Sequence, residues 1–341
     1  MAGSVPLITA NSITTITGLR VKPIYFVTLN GQAQPSLVIK GENMLNVNNN
    51  DALVSMTWTS KLMKNVNNHQ VNVKLMTPTE ITEFLRAGNA TFAANSDEAY
   101  HLGGQYNWVK MPNVAGLSDT EIWPTTSATP EAKRIKAVII KLMQPHIWYE
   151  LGKVVAVDIF NGNNDRFNSN GDWVNKGNIM FVNNSVIGMD TWDPSGTNGG
   201  NMESNLVQGG GFQALTILTD LFSRHEFAVK ATASVGLELS NGLKRSGTNS
   251  VSVRLTDNSI ISVDLEQIKT LFDEQVTEFK RGLLDGATQL RAYLQLKVNQ
   301  YDVSRRAVIK FGVARGGVPI NQGSIKRIPK GVLDRMNFLG W

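Results

Sequence analysis

Residues 151–167 read LGKVVAVDIFNGNNDRF, and GNIMF follows at 177–181 and VIGMD at 186–190. Up to Phe160 the first stretch is apolar nearly all round. That predicts a helix over HIWYELGKVVAVDIF, residues 146–160, buried in the middle of a larger lobe. The next forty residues are rich in Asn, Gly, Asp and Ser, broken by two short apolar runs, NIMFV at 178–182 and SVIGM at 185–189. Two short strands separated by turn residues predict a β-hairpin. A buried helix, a polar loop and a hairpin in succession put Asp165 on the loop, Asn178 just before the first strand and Asp190 just after the second. A hairpin brings its two open ends together, so Asn178 and Asp190 are expected at one site.

Working outward toward the N-terminus, residues 11–41 read as a meander of three strands, NSITTIT, KPIYFVTL and SLVIKG, with Asn30-Gly31 supplying a turn. DALVSMTWTSKLMKNV, residues 51–66, has helical length and an acidic start, VNVKLM is a short strand, and PTEITEFLRAG is a helix opened by Pro78 and closed by Gly88. From 89 to 130 the composition turns to Asn, Gly, Ser, Thr and Pro, read as an inserted loop-rich segment. KAVIIKLM at 136–143 is a compact apolar run that reads as a buried strand, broken at Gln144-Pro145. Beyond the hairpin the chain is mostly helical, with an amphipathic pattern at Leu265, Ile268, Leu271, Phe272, Val276, Phe279 and Leu283. The expectation is an α+β protein of two lobes: a strand-rich N-terminal lobe, 1–143, and a helix-rich C-terminal lobe, 144–341, with a basic tail.

Four side chains distributed over this layout suit phosphoryl transfer from ATP. Such a reaction needs a fixed ammonium against the nucleotide phosphates and a carboxylate that accepts the proton of the attacking hydroxyl. It also needs oxygen ligands for magnesium. Lys40, late in SLVIKGE, sits where a strand lysine would serve the phosphates, with the local look of a V-A-I-K pattern. Asp165 in NGNNDRF is the candidate base, and Asn178 and Asp190 are the candidate metal ligands, oxygen donors being the kind a hard cation takes.

The DIF-x-x-N-x-DR spacing at 158–166, with the later GN and VIGMD, resembles the catalytic domain of actin-fragmin kinase, an atypical protein kinase. More distantly it is similar to the phosphatidylinositol kinases with their Asp-Arg-His loop. The specific part covers about residues 150–193. The resemblance implies a two-lobed protein-kinase-like fold with ATP and Mg2+ as cofactors. It makes Asp165 the catalytic aspartate, Asn178 and Asp190 the metal ligands and Lys40 the phosphate contact, with Arg166 bracing the catalytic loop. It also implies a phosphate-covering turn near Gly18 and nucleotide lying against a hinge near Met143 and Gln144. The function it implies is phosphorylation of Ser or Thr hydroxyls on a protein, with actin a substrate by resemblance only. The sequence departs from the kinase pattern in three places: no G-x-G-x-x-G precedes Lys40, no glutamate follows it in the next helix, and Thr191-Trp192 follow Asp190. Asp51, at the start of that helix, is the nearest acid. Other readings are a pseudokinase that serves as a binding module, an enzyme that transfers AMP on the same fold, and a structural protein.

Composition narrows the remaining classes. With no cysteine among 341 residues there is no disulfide framework, thiolate nucleophile or iron-sulfur cluster. The four histidines are scattered, with no HExxH, and neither a P-loop nor a GxSxG nucleophile elbow occurs. Net charge is +5, but residues 302–341 hold eight Lys or Arg against two Asp, while the other 301 residues hold 25 basic against 26 acidic groups. The excess is therefore a property of the tail, a candidate grip for an acidic partner or surface. No aromatic interleaving or RNP-like motif supports nucleic-acid binding. The N-terminus lacks the basic region and apolar core of a signal peptide, and no run approaches the roughly 20 apolar residues of a membrane span. The expected location is cytoplasmic, or a target cell reached without a cleavable signal.

Overall fold

The computed structural model describes residues 8–15, 23–44, 50–67, 71–104, 106–114, 117–118, 131–175, 178–182, 184–189, 211–254, 258–300, 312–314, 318–320 and 330–341. In chain order these form β1 (Ile8–Thr15), β2 (Ile24–Leu29), β3 (Leu37–Met44), α1 (Asn50–Val66), β4 (Lys74–Leu75), α2 (Pro78–Thr91), α3 (Asp97–Gly103) and β5 (Tyr106–Pro112). Next come β6 (Leu117–Ser118), α4 (Glu131–Leu142), α5 (Pro145–Asn161), β7 (Ile179–Val182), β8 (Ser185–Gly188), α6 (Gly211–Thr219) and α7 (Leu221–Arg245). The series ends with β9 (Ser250–Arg254), β10 (Ile260–Asp264), α8 (Leu265–Thr270), α9 (Val276–Gln300), β11 (Gly312–Ala314), β12 (Val318–Ile320) and α10 (Lys330–Leu339). The chain is thus mixed α and β with small sheets. It divides into two compact units: Met1–Ser60, Val71–Val114 and Asp302–Arg327 form unit 1, and Lys61–Gln70, Ala115–Tyr301 and Ile328–Trp341 form unit 2. The expected split at 143/144 instead falls inside unit 2.

Unit 1 is built on a five-stranded antiparallel sheet in the order β1-β2-β3-β5-β4. The β2–β3 connection turns at Asn30-Gly31 as its residues suggest, Gly31 taking φ 82°, where a side chain would be strained. Strand alternation puts Tyr25, Val27 and Ile39 on one face, where they bury against Phe84 and Ala87 of α2. Tyr25 meets Phe84 edge-on with ring centroids 5.2 Å apart, and Phe84 meets Trp108 at 5.0 Å. A capping box at Thr77 and Glu80 starts α2. Gly88 does not end this helix as expected. It lies within α2, where an added Cβ would stand 2.4 Å from Leu102 Cδ1, so its lack of a side chain admits α3. The segment expected to be loop-rich from 89 contains α3 and β5, and β5 is an inner strand of the sheet.

Unit 2 is organised around α5, buried as expected. It crosses α9 so closely that Gly282 has no room for a Cβ: one would fall 2.0 Å from the Tyr149 carbonyl oxygen. From the α5 side Gly152 is confined as well, since a Cβ there would fall 2.4 Å from Phe279 O. Of residues 136–143, expected as a strand, all but Met143 belong to the helix α4. Ile135, Val138, Ile139 and Leu142 are its buried residues, an i, i+3, i+4, i+7 stripe. β6, β7 and β8 form a three-stranded sheet whose β7–β8 pair is the expected hairpin, Ile179 opposite Gly188. Among the described residues no helix is long and apolar enough to cross a membrane.

Candidate functional site

α5 ends at Gly162, whose φ of 70° closes the helix in a left-handed cap. The loop that leaves it carries Asp165 and Arg166. Asn163 folds this loop on itself: its Oδ1 accepts the Asp165 backbone N–H at 3.0 Å, a local turn typical of Asn. Further along, the loop lies against α7. The Trp173 backbone N–H donates to Ser234 Oγ at 2.8 Å, and Gly171, at φ 87°, approaches so near that a Cβ would be 3.0 Å from Ala231 N.

Beneath the loop sits a buried ionic knot. Arg166 is fully buried, its Nη1 donating to Asp158 of α5, also buried. The remaining guanidinium donors reach the hairpin: Nε to Asn178 O at 2.9 Å and Nη2 to Met189 O at 2.8 Å. One planar group thereby fastens helix, loop and both hairpin ends. Gly188 makes the room: a Cβ there would stand 2.7 Å from Arg166 Nη2 and 2.9 Å from Val154 Cγ1. Burial pushes the Asp158 carboxyl above its ordinary range, against the pull of the Arg166 guanidinium and the Asn163 amide.

Asp165 and Asn178, expected together from the sequence, are in direct contact. Asn178 Nδ2 donates to Asp165 Oδ2 at 2.6 Å, and Asn175 Nδ2 donates to the same oxygen at 3.2 Å. Across the hairpin mouth the Met189 N–H donates to Asn178 O at 2.8 Å. Asp190 and Gly18 lie outside the described residues. With Nδ2 of Asn178 engaged by Asp165, the oxygen of the amide is its donor for a cation, so the group fits a hard divalent ion in kind. Among the described residues no three His, Asp or Glu come together as a metal cluster.

Lys40 is on β3, the third strand of the unit 1 sheet, buried, and paired in register with Ile24 and Val109. Its place in the alternation puts it on the sheet face opposite Tyr25, Ile39 and the α2 contact. Met143 and Gln144 form the turn between α4 and α5, where Trp148 Nε1 donates to Leu142 O at 2.6 Å. Both residues belong to unit 2, so this turn is not a link between the two units. Sequence reasoning placed Asp158 and Asn163 in the DIF-x-x-N-x-DR spacing without a role for either, and it missed Asn175. Asp158 had a signal, being an acid within the apolar stretch of α5, which requires a buried partner.

No protein-family model matches the chain, no curated protein is significantly similar to it, and no solved structure matches its fold.

Proposed function

We propose that the chain is an ATP- and magnesium-dependent phosphotransferase of the atypical two-lobed kinase type, acting on Ser or Thr hydroxyls of a protein. The observation that carries the reading is the Asp165–Asn178 side-chain contact, fixed from below by Arg166. A carboxylate that must accept a proton at one moment of the reaction has to be held in one orientation, and two amides on Oδ2 do that. The acceptor hydroxyl oxygen attacks the γ-phosphorus, the bond from that phosphorus to the departing ADP oxygen breaks, and the hydroxyl proton passes to Asp165. Oδ2 being engaged, the proton goes to Oδ1. Lys40, on the third strand, supplies the ammonium for the phosphates. Asn178 and Asp190 would hold magnesium, which when bound neutralises charge on the phosphate oxygens. Buried Arg166 takes no part in the chemistry and keeps the loop and the hairpin in register.

A second reading has an observation in its favour. α1, which follows the Lys40 strand, reads NDALVSMTWTSKLMKNV and offers no glutamate to orient the lysine. A chain that binds nucleotide without transferring phosphate would show this. Incubation of the purified protein with γ-labelled ATP and magnesium, with mass spectrometry of the chain and of added acceptors, separates the readings. Phosphate incorporation is expected, reduced about a hundredfold or more in Asp165→Asn. An added AMP mass would point to nucleotidyl transfer, and no added mass on any acceptor to the binding module. Incorporation by Asp165→Asn at the parental rate would remove Asp165 from its role.

A further inference from the structure

The loop that carries Asp165 begins at the C-terminal end of α5, and that end is held from outside. The last carbonyls of a helix lack intrahelical partners and carry the negative end of its dipole. At Asn161, the final residue of α5, the carbonyl oxygen accepts from Arg335 Nη2 of α10 at 3.1 Å. Arg335 is buried, 1% exposed, and burial pulls its guanidinium down to about 10, so it stays charged at neutral pH. One residue back, Phe160 stacks on Trp341, with ring planes 3° apart and centroids separated by 5.6 Å. Trp341 reaches that ring because Gly340, at φ 65°, turns the chain back and lets the Trp341 N–H donate to Met336 O at 2.9 Å. The side chain of Asn161 adds no anchoring there: it is fully buried, and among the described residues neither its Nδ2 nor its Oδ1 has a hydrogen-bond partner.

We propose that Arg335 and Trp341 are positioning residues for the Asp165 loop, α10 acting as a clip on the helix end from which that loop departs. The clip lies 170 positions along the chain from Asp165 and grips α5 at Phe160 and Asn161. Its effect travels through Asn161 and Gly162, the pivot of the loop. The inference rests on the phosphotransferase reading for its kinetic consequence only, and its structural consequence is measured separately.

The test uses the full chain. Arg335→Gln, which removes the charge and keeps most of the length, is compared with the parent by peptide-resolved amide hydrogen exchange and by phosphoryl transfer. Exchange in the last turn of α5 and in residues 162–175 is expected to rise about tenfold. The unit 1 sheet and the α7 helix should exchange as in the parent. A similar fall in kcat with unchanged KM for ATP is expected, and Arg335→Lys, which keeps a charged donor, should restore most of both. Where Arg335→Gln fails to fold, Trp341→Ala, which removes only the ring on Phe160, gives the same readout. Acceleration spread evenly over unit 2, no acceleration in 162–175, or a loosened loop with parental kcat would each overturn the proposal. A parent that transfers no phosphate yet shows the local exchange pattern would sink the phosphotransferase reading and leave the clip standing.

Discussion

Arg166 uses its fork on three partners, one in α5 and one at each end of the β7–β8 hairpin, so the strength of the knot depends on planarity as much as on charge. A lysine would offer one point charge, leaving Met189 O without its guanidinium donor and Asn178 O with the Met189 N–H in place of two donors. Arg166→Ala goes further and leaves Asp158 as a buried, unpaired acid. It is expected to lower unfolding free energy by about 3–5 kcal/mol, measured by denaturant titration. A loss below about 1 kcal/mol would mean that water replaces the guanidinium. Asp165, Arg166 and Asn178 were legible in the sequence because their spacing around a helix end and a hairpin is local information. Asn175, Arg335 and the turn made by Asn163 were not. An asparagine in a turn-rich segment bonds whichever partner the loop's path brings near, and Arg335 reaches Asn161 across a separation of 174 positions.

Elements were read correctly where one pattern dominated. The hairpin at 178–189 and the helix at 145–161 follow from alternating turn and apolar runs and from length. α4 was misread because its apolar residues are contiguous enough, at Ala137-Val138-Ile139-Ile140, to imitate a buried strand. The helical stripe shows only when Ile135 and Leu142 are counted with Val138 and Ile139. β5 was hidden for a different reason: its residues, YNWVKMP, combine strand formers with polar breaks, and its value as an inner strand comes from pairing with β3 and β4. No sequence pattern announced the α5–α9 crossing either, since a glycine in a helix signals weakness before it signals contact. The crossing makes its own prediction. Gly282→Ala puts a methyl group onto the Tyr149 carbonyl and must push the two helices apart. The expected cost is about 3 kcal/mol, a loss seen as a lower Tm. Gly103→Ala, where a Cβ would meet nothing within 4 Å, serves as the control and should leave Tm within about 2 °C.

At the scale of the whole molecule, charge is distributed less simply than the sequence total suggests. The excess of basic residues after position 301 is not all available to an acidic partner, because Arg335 is buried in unit 2. Acid sensitivity is also local. In unit 1, Glu80 of α2 is ion-paired with Lys110 of β5 and receives the Thr77 backbone N–H at 2.8 Å. Burial works to raise this carboxyl, but the hydrogen bonds from Lys110 and Thr77 outweigh it and hold it below its ordinary value of 4.5. A carboxyl depressed in the folded state stabilises fully above its unfolded value and loses that contribution as pH falls through the folded one. Unit 1 should therefore weaken below about pH 4.5, by about 1 kcal/mol at most, since the pair is only partly buried. Glu80→Gln removes the proton linkage and should flatten the acid limb for unit 1, read as protection of the β3 and β5 amides after incubation between pH 3 and 6. An acid limb equally steep in the parent and in Glu80→Gln would assign the sensitivity to another carboxyl.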